Sequence, residues 1–333
     1  MRLFRVLVVT VVPIALAVGG AWLYARHLYE APGPLTEEKT VVIAPGTGFK
    51  GIARVLAKEG VIGQPIIYMT MVLMEQQQAA FKAGEYAFPP GISPHDVTEK
   101  LTQGDVTQTS ITIVEGWTVR DLKQALRADG DVAKAAVDLA DAELMRAIGA
   151  SGQQPEGWFF PDTYFFASGA TDLSILTRAY RTMQQRLDVA WVGRAPGLPF
   201  DAPYQALILA SIVEKETGRV ADRPLIASVL VNRLQQGMRL QADPTVIYGI
   251  GERFDGNLTK RDLDADSAYN TYTRDGLPPT PIALPSQASL DAVLHPPATP
   301  YLYFVSRGDG SSEFSANLAD HNRAVAKYQK NGR

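Results

Sequence analysis

The sequence predicts an α+β protein built from an N-terminal transmembrane helix, a region of β/α repeats and a larger mixed α+β domain. Three observations predict it. A charge-free run extends from Val6 to Ala25. A strand-and-turn pattern returns along residues 40–130. Strongly apolar helical segments in 150–330 alternate with loops rich in hydroxyl, amide and aromatic groups.

Residues 1–5 form a short tail, and residues 6–25 the membrane segment. Only Thr10, Pro13 and two glycines interrupt its apolar character. Twenty residues at helical rise span roughly 30 Å, the thickness of the hydrocarbon core. Arg2 and Arg5 precede it, which favours a cytoplasmic N-terminus, although Arg26 follows it. Trp22 and Tyr24 suit the outer interface. A cleaved signal peptide is the rival reading. The length of the run and the lack of a small-residue cleavage site before Arg26 favour an uncleaved single-pass anchor.

After a Pro/Gly linker at 31–35 comes the repeat. Val41-Val42-Ile43-Ala44-Pro45-Gly46 reads as strand and turn, leading to a helix with Ile52, Val55 and Leu56 that stops at Gly60. Ile111 to Gly116 repeats the pattern, leading to Leu122, Ala125 and Leu126 and a stop at Gly130. A looser copy runs from Glu85 to Gly104. Such units resemble the LysM fold, which often binds glycan; a purely structural spacer is the alternative.

Residues 131–150 read as a polar-faced helix. The segment Pro155 to Phe166 is dense in aromatic residues and carries Glu156 and Asp162. Rings beside carboxyl groups suit sugar subsites, and equally suit a core. Helices follow over 173–192 and 202–217. Asp222 is placed to cap another, with Pro224 in its first turn and Gly237 at its end. Residues 238–249, 267–273 and 276–282 read as loops of a polar cleft. Residues 301–305 read as a strand, and Phe314 and Asn317 lead into a last helix with His321 and Tyr328.

The net charge of −3 gives no sign of nucleic-acid binding. Without cysteine there is no thiolate site, and the four histidines are scattered without metal-ligand spacing. No metal and no cofactor are expected. Phosphate-binding Gly-rich loops and a Gly-x-Ser-x-Gly elbow are absent from the sequence. What remains is carboxylate chemistry. In the apolar helix over 202–217, Glu216 follows Val213, Ile212 and Leu209 by three, four and seven residues, and so shares their face. Burial and the adjacent helix C-terminus both disfavour its ionised form. A carboxyl that keeps its proton near neutral pH suits a general acid. Glu214 points towards the side of Leu207 and Ala210. A solvated polar helix end is the plainer reading of the Glu-Lys-Glu run.

Several long motifs now converge. Glu156-Gly157-Trp158-Phe159-Phe160-Pro161-Asp162-Thr163-Tyr164, Ala210 to Thr217, Asn232-Arg233-Leu234, Leu240 to Gly249, Tyr269-Asn270-Thr271-Tyr272 and Gly276-Leu277-Pro278-Pro279 resemble the YceG-like family of bacterial endolytic murein transglycosylases. The resemblance implies a membrane anchor, a LysM-like part over 40–130 and a catalytic domain over 150–330. It implies Glu216 as the catalytic residue. Protonated Glu216 would cleave the bond between N-acetylmuramic acid and N-acetylglucosamine, leaving 1,6-anhydro ends and ending glycan elongation. Glu214, Gln241, Asp243, Thr245, Tyr248, Tyr269 and Asn270 are the candidates for holding substrate. The implied partners are glycan strands of peptidoglycan, the cytoplasmic membrane and peptidoglycan synthases (penicillin-binding proteins). The implied location is the inner membrane, with the catalytic domain in the periplasm. Two other readings stay open: a lysozyme-like hydrolase pairing Glu216 with Glu214, Asp162 or Asp243, and a non-catalytic membrane-tethered glycan-binding protein.

Overall fold

The structure, a computed structural model, describes residues 2–44, 46–106, 108–167 and 169–330; the side chains of 2–11, 108 and 330 lie outside the description. The chain divides into two compact units, Met1–Thr109 with Phe165–Gly169, and Ser110–Tyr164 with Ala170–Arg333.

The first unit begins with α1 (Arg2–Glu30), a 29-residue helix. Val12, Ile14, Leu16, Val18 and Leu23 are all exposed, so no protein surface covers this stretch on any side. Among the described residues no helix is long and apolar enough to cross a membrane; residues 6–11 of the apolar run, whose side chains are not described, lie outside that test. The far end of α1 is docked. Tyr29 is fully buried, and its hydroxyl donates to Thr98 Oγ1 at 2.9 Å. The unit continues through β1 (Lys39–Ile43), α2 (Phe49–Lys58), α3 (Pro65–Met74), β2 (Gly84–Phe88) and α4 (Pro94–Gln103). β1 and β2 pair antiparallel, Val41 opposite Tyr86. The alternating side chains Val41, Ile43, Tyr86 and Phe88 join Ile52, Leu56, Tyr68, Val97 and Leu101 in one core. Ser93 caps α4 by accepting from Asp96 N–H, and Gly104 closes it at φ 72°. α3, an uncharged helix, is not among the predicted elements.

The chain continues with β3 (Gln108–Thr112), which pairs with β4 (Thr163–Ala167) in a two-stranded sheet, and the second unit holds α5 (Val119–Ala128) and α6 (Asp141–Ile148). The helix predicted across 131–150 is confined to α6. Residues 133–137 instead wrap the fully buried Asp172, whose carboxylate accepts from the N–H groups of Ala135, Ala136 and Val137. Amides satisfied by a side chain have no need of a helical ladder.

Next come α7 (Asp172–Val192), α8 (Pro203–Glu216), α9 (Arg223–Gln235), α10 (Asp243–Ile250), α11 (Lys260–Asp264) and α12 (Gln287–Leu294). A hairpin of β5 (Tyr303–Ser306) and β6 (Ser312–Ser315) follows, then α13 (Leu318–Val325). α8 is the axis of the unit: α7, α9, α10 and α12 all pack on it. Every residue from Ala206 to Glu214 is buried, so α8 is covered all round and not along one stripe.

Two expectations change here. The predicted loop 238–249 contains α10, started by Pro244 in its first turn. Asp222 makes no cap for α9; its carboxylate instead accepts from Ser312 N–H at 3.0 Å. The aromatic segment is largely core, with Phe159, Phe160 and Tyr164 buried. Trp158 stacks on Tyr204, with ring centres 5.7 Å apart.

Candidate active site

α8 ends at Glu216 because Thr217 turns extended, φ −150°, and its hydroxyl accepts from Arg219 N–H. Gly218 does not take up a left-handed conformation, so the stop lies one residue earlier than the glycine suggested. The last turn therefore delivers two carboxylates into different surroundings.

Glu214 is buried and fully compensated. One oxygen accepts from Arg223 Nη2 at 2.8 Å; the other accepts from Ser286 N–H, Ser286 Oγ–H and Ser289 Oγ–H. Arg223 also donates to Ser286 Oγ. Glu214 thus ties α8 to α9 and to the start of α12. The face of Leu207 and Ala210, towards which it points, is as buried as the face of Glu216, so apolar facing alone does not separate the two acids.

Partnering separates them. Among the described residues Glu216 forms no hydrogen bond and no ion pair. It is partly open, lining two cavities at once, yet the groups around it keep its carboxyl away from bulk water. That loss of hydration, with the negative field of Asp243 added and Arg233 opposing, raises its pKa from 4.5 to about 8. The side chain accordingly holds its proton at neutral pH.

One cavity, about 760 Å³, is formed by residues 112–116, 161–163 and 214–218 with Arg223. Lys215 reaches over it to donate to Gly116 O at 3.2 Å. The other, about 490 Å³, is bounded by Arg233, Gln241, Asp243, Tyr272, Tyr303 and His321 among others. Glu216 stands where the two meet. The second cavity is rigidly framed. Buried Arg233 donates to the carbonyls of Leu302, Arg239 and Leu240 and to Gln241 Oε1, and its guanidinium lies 5.2 Å from the Tyr303 ring centre. Gln241 sits at φ 50°, a conformation uncommon for a residue with a Cβ. Its N–H donates to Thr271 O, which holds it there. Asp243, at the N-terminus of α10, accepts from Tyr272 Oη–H. His321 stacks on Tyr303 at 5.2 Å.

Of the seven residues expected to hold substrate, Gln241 and Asp243 share a cavity with Glu216. Glu214 lines the other cavity, but its carboxylate is engaged with Arg223 and the two serines. Thr245 is fully buried, bonded to Ala242 O and Thr271 Oγ1. Asn270 is buried too; its amide donates to Leu263 O and Ala265 O, and its oxygen accepts from Tyr272 N–H, bracing the loop that carries Tyr272. Tyr248 and Tyr269 line a separate cavity of about 330 Å³, ring centres 4.9 Å apart. Tyr248 donates there to Glu156, a second buried acid, which also accepts from Val119 N–H. Burial, partly offset by these bonds, brings Glu156 up to about 7.

Arg233, Tyr272, Tyr303 and His321 were not read as site residues. The signal for Arg233 was present: an arginine between Val231 and Leu234 in an apolar helix needs buried acceptors.

The sequence pattern of the YceG-like family matches residues 41–327. An endolytic murein transglycosylase from Bacillus subtilis (strain 168) is 32% identical, over 94% of this chain and 91% of its own length. A second endolytic murein transglycosylase, from Streptococcus pneumoniae (strain ATCC BAA-255 / R6), is 26% identical over 95% of this chain; this chain spans 63% of that relative. A solved structure of a putative YceG-like protein from Listeria monocytogenes superposes with a TM-score of 0.53 at 28% identity, covering 86% of this chain and 99% of the other. With the family pattern spanning most of its length, the chain belongs to the YceG-like family.

Proposed function

We propose that the chain is a membrane-anchored endolytic murein transglycosylase with Glu216 as its one acid–base group. The observation that carries this is the unpartnered carboxyl of Glu216, raised to about 8, standing where two cavities meet. A polymer lying through both would place an internal glycosidic bond at Glu216. Two of its named relatives are endolytic murein transglycosylases.

The chemistry follows from a single proton donor. Glu216 gives its proton to the oxygen joining C1 of N-acetylmuramic acid to N-acetylglucosamine, and the C1–O bond breaks. Positive charge developing at C1 is assisted by the 2-acetamido group. The sugar's own 6-hydroxyl then bonds to C1, and ionised Glu216 takes its proton. The acid is regenerated, no water is consumed and the product bears a 1,6-anhydro ring. Burial raises Glu216 first, and the field of Asp243, which accepts from the Tyr272 hydroxyl nearby, adds to it.

One observation favours a second reading. Asp243 is the carboxylate whose field Glu216 feels, so a hydrolase would recruit it as the second acid. Glu214 is unsuited to that role, because its oxygens are already occupied.

The remaining parts of the reading concern place. The uncovered apolar length of α1 supports a single-span anchor with the second unit outside the cytoplasm. The two-stranded sheet and flanking helices of the first unit support a LysM-like glycan contact. Peptidoglycan synthases that make nascent strands are the fitting partners, with cleavage ending elongation. Mass spectrometry of the ends produced from purified glycan strands tests the activity. Anhydro ends made by the wild type and lost in Glu216→Gln support it; binding without cleavage by the wild type overturns it.

A further inference from the structure

α3 is a ten-residue helix, PIIYMTMVLM, without a charged side chain. One face puts Tyr68, Met71 and Val72 into the core of the first unit. The other carries Ile66, Leu73 and Met74, which are 75%, 50% and 58% exposed, with Thr70 among them. Positions 66, 70, 73 and 74 fall on one side of a helix. A helix facing water ordinarily places charges there. This one presents large apolar side chains on both sides.

Its place in the fold says what covers it. The ring of Tyr68 on α3 lies 6.3 Å from that of Tyr29 on α1, and Ala25 packs against the same core. The charge-free run of α1 ends at Ala25. Tyr29 is four residues further, about 6 Å along the axis. The headgroup layer on each side of the hydrocarbon core is roughly 5–7 Å thick. A helix held against Ala25 and Tyr29 therefore sits within that layer when the run fills the core. Trp22 and Tyr24, exposed on the same last turns of α1, mark the same depth.

We propose that α3 lies in the headgroup layer beside the point where α1 leaves the bilayer, with Ile66, Leu73 and Met74 inserted into lipid. This rests on the reading of α1 as an anchor. The first unit is then seated on the membrane by two helices joined through one core, and does not swing on a single tether. Because α3 offers no cation, apolar contact carries the insertion, and anionic lipid is not required.

The chain has no cysteine, so single cysteines report single positions. The full-length Ile66→Cys, Met74→Cys and Leu23→Cys variants are each labelled with a fluorophore and reconstituted in phosphatidylcholine vesicles. A fraction of the lipid carries a nitroxide near the headgroup. The proposal predicts loss of emission at 66 and 74 and protection of both from aqueous iodide. Quenching at 23 with none at 66 and 74 overturns the α3 contact while sustaining the anchor, and leaves that face to a protein partner. No quenching at any of the three overturns the anchor reading and this proposal together.

Discussion

Glu216 and Glu214 sit two residues apart in α8 and differ in one respect: the second has partners and the first has none. Two predictions follow from that difference. Glu216→Gln removes the proton donor, so cleavage falls at least ~100-fold while the fold persists. Glu214→Gln leaves Arg223 buried with a weakened partner, and breaking such a pair costs about 3–5 kcal/mol, read as a lowered unfolding midpoint. The pH dependence carries the sign of the raised acid. Below about 4.5 Glu216 is protonated in both folded and unfolded chains. From about 4.5 to about 8 the unfolded chain releases a proton that the folded chain keeps, so stability falls across that window. Glu216→Gln should become progressively more stable than the wild type over the same range, in denaturant titrations at several pH values. Parallel midpoints at every pH would mean that the acid is not raised. Cleavage by the wild type should likewise decline as pH climbs through about 8.

At the level of elements, Asp172 is the clearest case of one side chain replacing a ladder. It is fully buried and accepts four backbone N–H groups, from Ala135, Ala136, Val137 and Leu173. Asp172→Ala should cost at least about 3 kcal/mol, since hydrogen bonds to a charged acceptor contribute about 1.5–3 kcal/mol each. An unchanged unfolding midpoint would remove the explanation for the irregular segment 131–140. Nothing local in that segment announces an acceptor some 35 residues away, which is why its sequence reads as helix. The opposite holds for α2, α4 and α8, where apolar spacing and caps or closing residues lie within the element itself. α10 and α12 were hidden for another reason. The stretch that holds α10 reads as loop and the stretch that holds α12 is not read as any element; packing against α8 is what both helices have in common. The site divides the same way. Helical spacing puts Glu216 on an apolar face, but the face of Glu214 is equally buried, and only the partners that reach Glu214 from α9 and α12 separate the two acids. Arg233 and Tyr272 become site residues through chain crossings: Arg233 through Leu302 O, and Tyr272 through Asp243. Thr245 and Asn270, polar in sequence, turn inward to hold those crossings in place.

For the whole molecule, the α1 reading predicts that the intact chain fractionates with the membrane and resists extraction by high salt. A soluble mature protein beginning after residue 25 would contradict it. The central claim is that one protonated carboxyl between two cavities suffices, with the sugar's own hydroxyl in place of water. Asp243 is the competitor, close enough to raise Glu216 and able in principle to serve a hydrolase. Digestion of purified glycan strands in oxygen-18 water decides between them. The single-acid account predicts 1,6-anhydromuramoyl ends, formed within strands and free of the isotope. Oxygen-18 at the new reducing ends would contradict it and make Asp243 the second catalytic acid.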